Sequence, residues 1–340
     1  MDQVGNNIPI VTLEKKVEFL SSPEAYTEHP EEVIAKETHM SWVFLAGTHA
    51  YKLKKPVQYS FLDFSTLEAR HKDCKEEVRL NRRLAEEVYL GVVPLTLDGW
   101  GHLYLNGEGE VIDWLVRMRR LPEVFMLDYL MQYHLIPEDT LQQSAELLAA
   151  FYKTQPPADI NPAAYCTYLE EKLHDHFHEL TRFDLPYPLH HEILARQQQF
   201  LSDHNRLFEE RVHWGRVLEA HGDLRPEHIC LQSPPVIIDC LEFNPALRTV
   251  DVADELSFFT LECEVRESPK VAEVFWKAHR EVNEDTVPQP LIDFYKSYRA
   301  VLRALLAMRH TLETDYRHDH RYQQQTQQYL QRAEKYVQNL

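Results

Sequence analysis

The sequence predicts an α+β protein in which a small antiparallel sheet carrying one long helix precedes a larger helical remainder. Short β-prone runs joined at turns, a capped helix among them, and helical periodicity from Phe125 onward point that way. Ser41–Leu45 (SWVFL) and Ala50–Val57 (AYKLKKPV) flank Ala46-Gly47-Thr48-His49, which reads as a hairpin. Ser65 and Glu68 form a capping box, and Leu67, Leu80 and Leu84 recur at helical spacing, so a helix runs from about Thr66 to Glu87. Three more strands follow, Val92–Leu97, His102–Leu105 and Val111–Arg117, separated by turns at Asp98-Gly99 and Asn106-Gly107. Runs of antiparallel strands exclude a doubly wound parallel sheet.

Beyond Phe125, Leu141, Ala145, Leu148 and Tyr152 mark one helix face, with Pro137 suited to its first turn. Further helices are expected near 162–181, 189–213, 268–283 and 290–314, with a glutamine-rich terminal helix from about Arg321. At 340 residues the chain exceeds the usual size of one core. Asp113–Pro122 reads as the linker, giving a sheet-bearing unit over 1–120 and a helical unit over 121–340.

Composition narrows the function. Glycine occurs only 9 times, and neither a G-x-G-x-x-G nor a Walker P-loop is present. The net charge of −18 disfavours duplex nucleic acid or an anionic membrane as partner and suits a small or cationic one. No signal peptide or membrane span is visible, and five cysteines without a C-x-x-C pair fit a reducing cytoplasm. Histidines cluster at His174, His176 and His178, at His190-His191, and at His318 and His320. None falls in an H-E-x-x-H register, so they are read as structural. No G-x-S-x-G elbow supports a hydrolase.

Four residues carry the chemistry. In Ala50–Lys54 the strand period puts Lys52 and Lys54 on one face, and Glu77 shares the buried face of Leu80 and Leu84, where a carboxylate needs a cation. Lys52 is the expected partner. Between Val217 and Phe259, Asp223 sits in a loop and Asp239 closes the apolar run Val236–Ile238, both placements that ask for a reason. Phosphoryl transfer supplies one: an aspartate for the attacking hydroxyl, a second for Mg²⁺, and a lysine over the phosphates.

His221-Gly222-Asp223-Leu224, the Ile238-Asp239 strand end, Lys52 in Ala50-Tyr51-Lys52 and Glu77 resemble the aminoglycoside phosphotransferase family, which has the bilobal protein-kinase-like fold. The resemblance spans about residues 35–310. It is closer still to the kinase-like domain of bacterial proteins that fuse it to a P-loop ATPase domain. Asp251 and Asp254 are similar, at a different spacing, to the family's acidic segment that braces the catalytic loop, and Asp254 is read as structural. Three features depart from the family. His228 stands where the family has a metal-binding asparagine, and imidazole suits Mn²⁺ or Zn²⁺ better than Mg²⁺; Glu242 or Asn244 are alternative oxygen donors. The turn carrying Gly47, taken as the nucleotide loop, has one glycine. The P-loop domain is missing, so activity is expected of this unit alone.

The resemblance implies an ATP-dependent small-molecule kinase using Mg²⁺, or Mn²⁺: Asp223 as catalytic base, Lys52 and Glu77 with Gly47 at the nucleotide, and Asp239 with His228 at the metal. The acceptor is a small-molecule hydroxyl. The alternative is a pseudokinase, a nucleotide-binding or scaffold module without turnover. Phosphorylation of protein side chains is disfavoured by the short Glu242–Thr249 connection after Asp239.

Overall fold

The computed structural model of the chain describes residues 11–59, 61–182, 189–312 and 320–340. In chain order the first elements are α1 (Leu13–Leu20), β1 (Val33–Glu37), β2 (Ser41–Ala46), β3 (His49–Lys54), β4 (Gln58–Tyr59), β5 (Leu62–Asp63), α2 (Leu67–Ala85), β6 (Tyr89–Leu97), β7 (Leu103–Leu105) and β8 (Glu110–Arg119). Next come α3 (Leu127–Gln132), α4 (Glu138–Thr154), α5 (Pro162–Leu180), α6 (Leu189–Asp203), α7 (Asn205–His213), β9 (Val217–Glu219), β10 (Ile229–Cys230) and β11 (Val236–Ile237). The last are α8 (Pro245–Arg248), β12 (Thr249–Asp251), α9 (Val252–Val265), α10 (Pro269–Asn283), α11 (Gln289–Leu312) and α12 (His320–Val337). Two compact units result. One comprises the chain to Phe125 together with Val236–Asn244; the other comprises Met126–Pro235 and Pro245–Leu340.

The first unit is a six-stranded sheet in the order β1-β2-β3-β8-β6-β7, antiparallel throughout. β1 carries no alternation, because four of its five residues are exposed, and so it leaves no period in the sequence. The β2–β3 hairpin closes in two residues, with Gly47 at φ +56°, a conformation that suits glycine. One sheet face buries Phe44, Leu53, Leu95 and Leu115 with Leu20 and Tyr26. Asp113, buried in β8, is held by Lys16 and Arg70, each at 2.7 Å. α2 starts one residue later than the capping box implies: Thr66 is the N-cap, accepting from the Ala69 amide at 3.1 Å. Ser65 instead turns back onto Asp63.

In the second unit the expected 189–213 helix breaks at His204 into α6 and α7. Pro137 sits at the N-cap of α4 rather than inside its first turn. α9 was not expected as a helix, because it is buried on nearly every side and offers no polar stripe to reveal a period. His176 is buried, stacked on Tyr298 with ring centroids 5.0 Å apart, whereas His174 and His178 are exposed. The side chain of His190, and His318, lie outside the described residues.

Candidate active site

Strand period and helix spacing meet in the first unit. β3 delivers Lys52, α2 delivers Glu77, and the segment after β11 delivers Asp239. The Lys52 ammonium donates to Glu77 Oε1 at 2.9 Å and to Asp239 Oδ1 at 2.9 Å. Glu77 is fully buried, as its place beside Leu80 and Leu84 requires. Burial by itself would lower the Lys52 pKa, but the carboxylates of Asp239, Glu77 and Glu242 outweigh it, and the ammonium is held well above its ordinary range.

Lys54, one strand period on, is more deeply buried than Lys52 and was not singled out from the sequence. Its ammonium contacts Glu77 Oε2 at 2.7 Å, Asp73 at 2.6 Å and Glu242. Those three carboxylates lie close enough to hold a metal ion, with ligand oxygens within 4.8 Å of one another, but the Lys54 ammonium fills the position. Glu242 is thus committed to Lys54 through Oε1. The cluster sets two ammoniums, Lys52 and Lys54, against four carboxylates, Asp73, Glu77, Asp239 and Glu242. Asp73 carries the imbalance: burial, with Glu242 and Glu77 nearby, outweighs Lys54 and pushes its carboxyl up to about 7.

Asp239 is not buried, as its apolar run implied; 42% of its side chain is exposed. Its backbone sits at φ +62°, a left-handed conformation that costs a non-glycine residue about 1–2 kcal/mol. Hydrogen bonds on either side hold it there. The Asp239 amide donates to the Tyr89 hydroxyl at 3.1 Å and the Cys240 amide to Asn81 Oδ1 at 2.9 Å, while Asn81 donates to the Glu77 carbonyl. A hard carboxylate oxygen, half exposed on an anchored backbone, fits a Mg²⁺ ligand. Tyr89 and Asn81 were missed from the sequence, since their role depends on a segment some 150 residues away in the chain.

Gly47 lies elsewhere. Lys54 pairs with Ser41 at the far end of the hairpin from the Gly47 turn, and about 10 Å of strand separates Lys52 from His49. The turn at the Lys54 end, Thr38-His39-Met40, contains no glycine. Gly47 serves the tight two-residue turn at that far end of the hairpin.

The second unit holds the His221–His228 loop. Glu255, buried on α9, accepts the amides of His221 at 3.1 Å and Gly222 at 2.6 Å, and the Tyr152 hydroxyl at 2.7 Å. Gly222 is at φ +86°. The loop is thus braced by Glu255, not by Asp254, which is locked to Arg299 at 2.7 and 2.5 Å; Asp251 caps α9 and binds Arg211. Asp223 is one-third exposed, and its Oδ2 receives Arg225 Nε at 3.1 Å. His228 does not present itself as a metal ligand: Nδ1 is 2.8 Å from the Asp223 carbonyl oxygen and Nε2 is 3.2 Å from Arg225 Nη2.

No family model matches the chain. An uncharacterized protein of Mycobacterium tuberculosis is 32% identical over 275 residues, which is 79% of this chain and 53% of that protein. The chain spans about half the length of the curated relatives it matches. Among solved structures, a choline/ethanolamine kinase family protein of Mesorhizobium loti aligns over 94% of each chain with a TM-score of 0.56 and 13% identity. A choline kinase of Cryptosporidium parvum aligns over 95% of this chain and 96% of its own, with a TM-score of 0.52 and 9% identity. The chain therefore has the α+β protein-kinase-like fold, with its antiparallel-sheet unit and its helical unit. No helix among the described residues is long and apolar enough to cross a membrane.

Proposed function

We propose that the chain is a phosphotransferase that moves the γ-phosphoryl group of ATP, taken up with Mg²⁺, to the hydroxyl of a small molecule. The observation that carries this reading is the Lys52 ammonium held 2.9 Å from both Glu77 and Asp239, a charged lysine fixed beside a half-exposed carboxylate in a protein-kinase-like fold. Lys52 donates to phosphate oxygens, and Glu77 keeps it in place. Asp239 is the residue suited to hold Mg²⁺, which supplies charge neutralisation at the phosphates. Asp223 Oδ1 accepts the proton of the attacking hydroxyl, with Oδ2 occupied by Arg225. Glu255 fixes the loop backbone so that Asp223 is positioned before substrate arrives.

The test is ATP consumption across a panel of small alcohols, amino alcohols and amino sugars, alongside thermal stabilisation by ATP with and without Mg²⁺. Turnover that Asp223→Asn abolishes while Mg²⁺-dependent stabilisation by ATP persists supports the phosphotransferase. Stabilisation with no consumption on any acceptor supports a second reading, a nucleotide-binding module without turnover. That reading is favoured by one observation, the commitment of His228 to Asp223 and Arg225.

A further inference from the structure

Protein-kinase-like phosphotransferases hold two divalent cations, one on the strand-end aspartate and one on an asparagine of the catalytic loop. In this chain the residue at the asparagine position is His228, and its surroundings assign it another task. The Asp223 carbonyl oxygen, 2.8 Å from Nδ1, can only accept, so Nδ1 carries the ring proton and Nε2 carries the lone pair. That lone pair faces Arg225 Nη2 at 3.2 Å, and a guanidinium can only donate. A metal ion would need the same lone pair. The ring is buried and stacked on His221 at 5.7 Å, so it has little room to turn toward another ligand.

The guanidinium is itself held from three directions. Nε and Nη2 lie 3.1 and 3.0 Å from Asp223 Oδ2, and Nη1 donates to Glu227 at 2.6 Å. Glu227 is anchored in turn by Arg266 at 2.8 Å, and Arg266 by Glu262 at 2.7 Å. The result is an alternating chain of charges, Asp223-Arg225-Glu227-Arg266-Glu262, that ends at Asp223. An arginine stays protonated at every working pH, so this positive charge is permanent. The first unit shows the same substitution: where Asp73, Glu77 and Glu242 could cage an ion, the Lys54 ammonium stands.

We propose that Arg225, clamped by His228 and Glu227, takes the place of the second divalent cation, and that the chain works with a single metal ion, on Asp239. This rests on the phosphotransferase reading. Arg225 is a positioning residue: it fixes Oδ2 of Asp223 and supplies a fixed positive charge at the loop, whereas a metal ion there would come and go with the free concentration.

The test counts ions rather than rate. The full chain, in excess over a non-hydrolysable ATP analogue, is titrated with Mn²⁺, and bound manganese per nucleotide is read by electron paramagnetic resonance. One ion per nucleotide is expected, rising to two in the double variant Arg225→Ala/His228→Asn, whose fold is checked by its melting transition. Two ions in the unaltered chain overturn the proposal and leave the phosphotransferase reading standing; no nucleotide-dependent manganese binding overturns both. A second measurement needs no variant. Free Mg²⁺ raised beyond the level that saturates ATP is expected to leave the turnover rate unchanged, and activation by that excess contradicts the single-ion assignment.

Discussion

Lys52 and Lys54 are two residues apart on one strand face, and they separate the work of the site from the work of the fold. Lys52 is partly exposed and reaches the half-exposed Asp239; Lys54 is wholly enclosed by Asp73, Glu77 and Glu242. Removing one partner from a buried ion cluster leaves uncompensated charge and costs about 3–5 kcal/mol. Lys54→Met is therefore expected to lower the free energy of unfolding by an amount of that order. Lys52→Met leaves Asp239 able to turn to water and Glu77 still paired with Lys54, and is expected to melt nearer the unaltered protein while losing on the order of 10²–10³ in kcat. Chemical denaturation and steady-state kinetics on the pair check this; equal destabilisation by both would contradict the division. The sequence made Lys52 and Glu77 legible through period and burial. It hid Lys54, because a second lysine on a strand face reads equally as an exposed edge.

At the scale of elements, α2 and α9 each brace one loop that carries a candidate site residue. α2 reaches the Asp239 segment through Asn81, and α9 reaches the Asp223 loop through Glu255. Glu255→Gln places an amide donor among groups that themselves donate, the amides of His221 and Gly222 and the Tyr152 hydroxyl. A loop displaced in this way is expected to lose on the order of 10²-fold in kcat with the KM for ATP little changed. Tyr152→Phe removes one hydrogen bond worth about 1 kcal/mol and is expected to cost less than tenfold. If Glu255→Gln instead raises KM at constant kcat, the brace acts on binding and the assignment fails. The acidic segment was visible in sequence, but which acid touches the loop was not. Asp254 and Glu255 are neighbours on a helix, and a rotation of about 100° decides which one faces the loop.

For the whole molecule, buried titratable groups set how stability follows pH. Asp73, raised to about 7, keeps in the folded chain a proton that the unfolded chain has already released, so its contribution to stability is lost as pH rises from about 4 to about 7. His176, lowered by burial to about 3, works in the opposite sense: the unfolded chain takes up a proton as pH falls below about 6.5, and stability falls with it. The two slopes overlap, so the useful measurement is a difference. The melting temperature of Asp73→Asn minus that of the unaltered chain is expected to grow steadily from pH 4 to pH 7 and then level off. A difference independent of pH would show that Asp73 ionises normally.

Local pattern was enough to establish the α+β class, the β2–β3 hairpin and the α2 helix, and to single out Lys52 and Glu77 on their faces. Those features rest on interactions a few residues apart or on the period of one element. Only the tertiary structure decided what occupies each charged position: an ammonium among Asp73, Glu77 and Glu242, a guanidinium on His228 and Asp223, and Glu255 rather than Asp254 against the loop. A buried charge takes its role from the partner that desolvation forces on it, and here several of those partners come from distant parts of the chain.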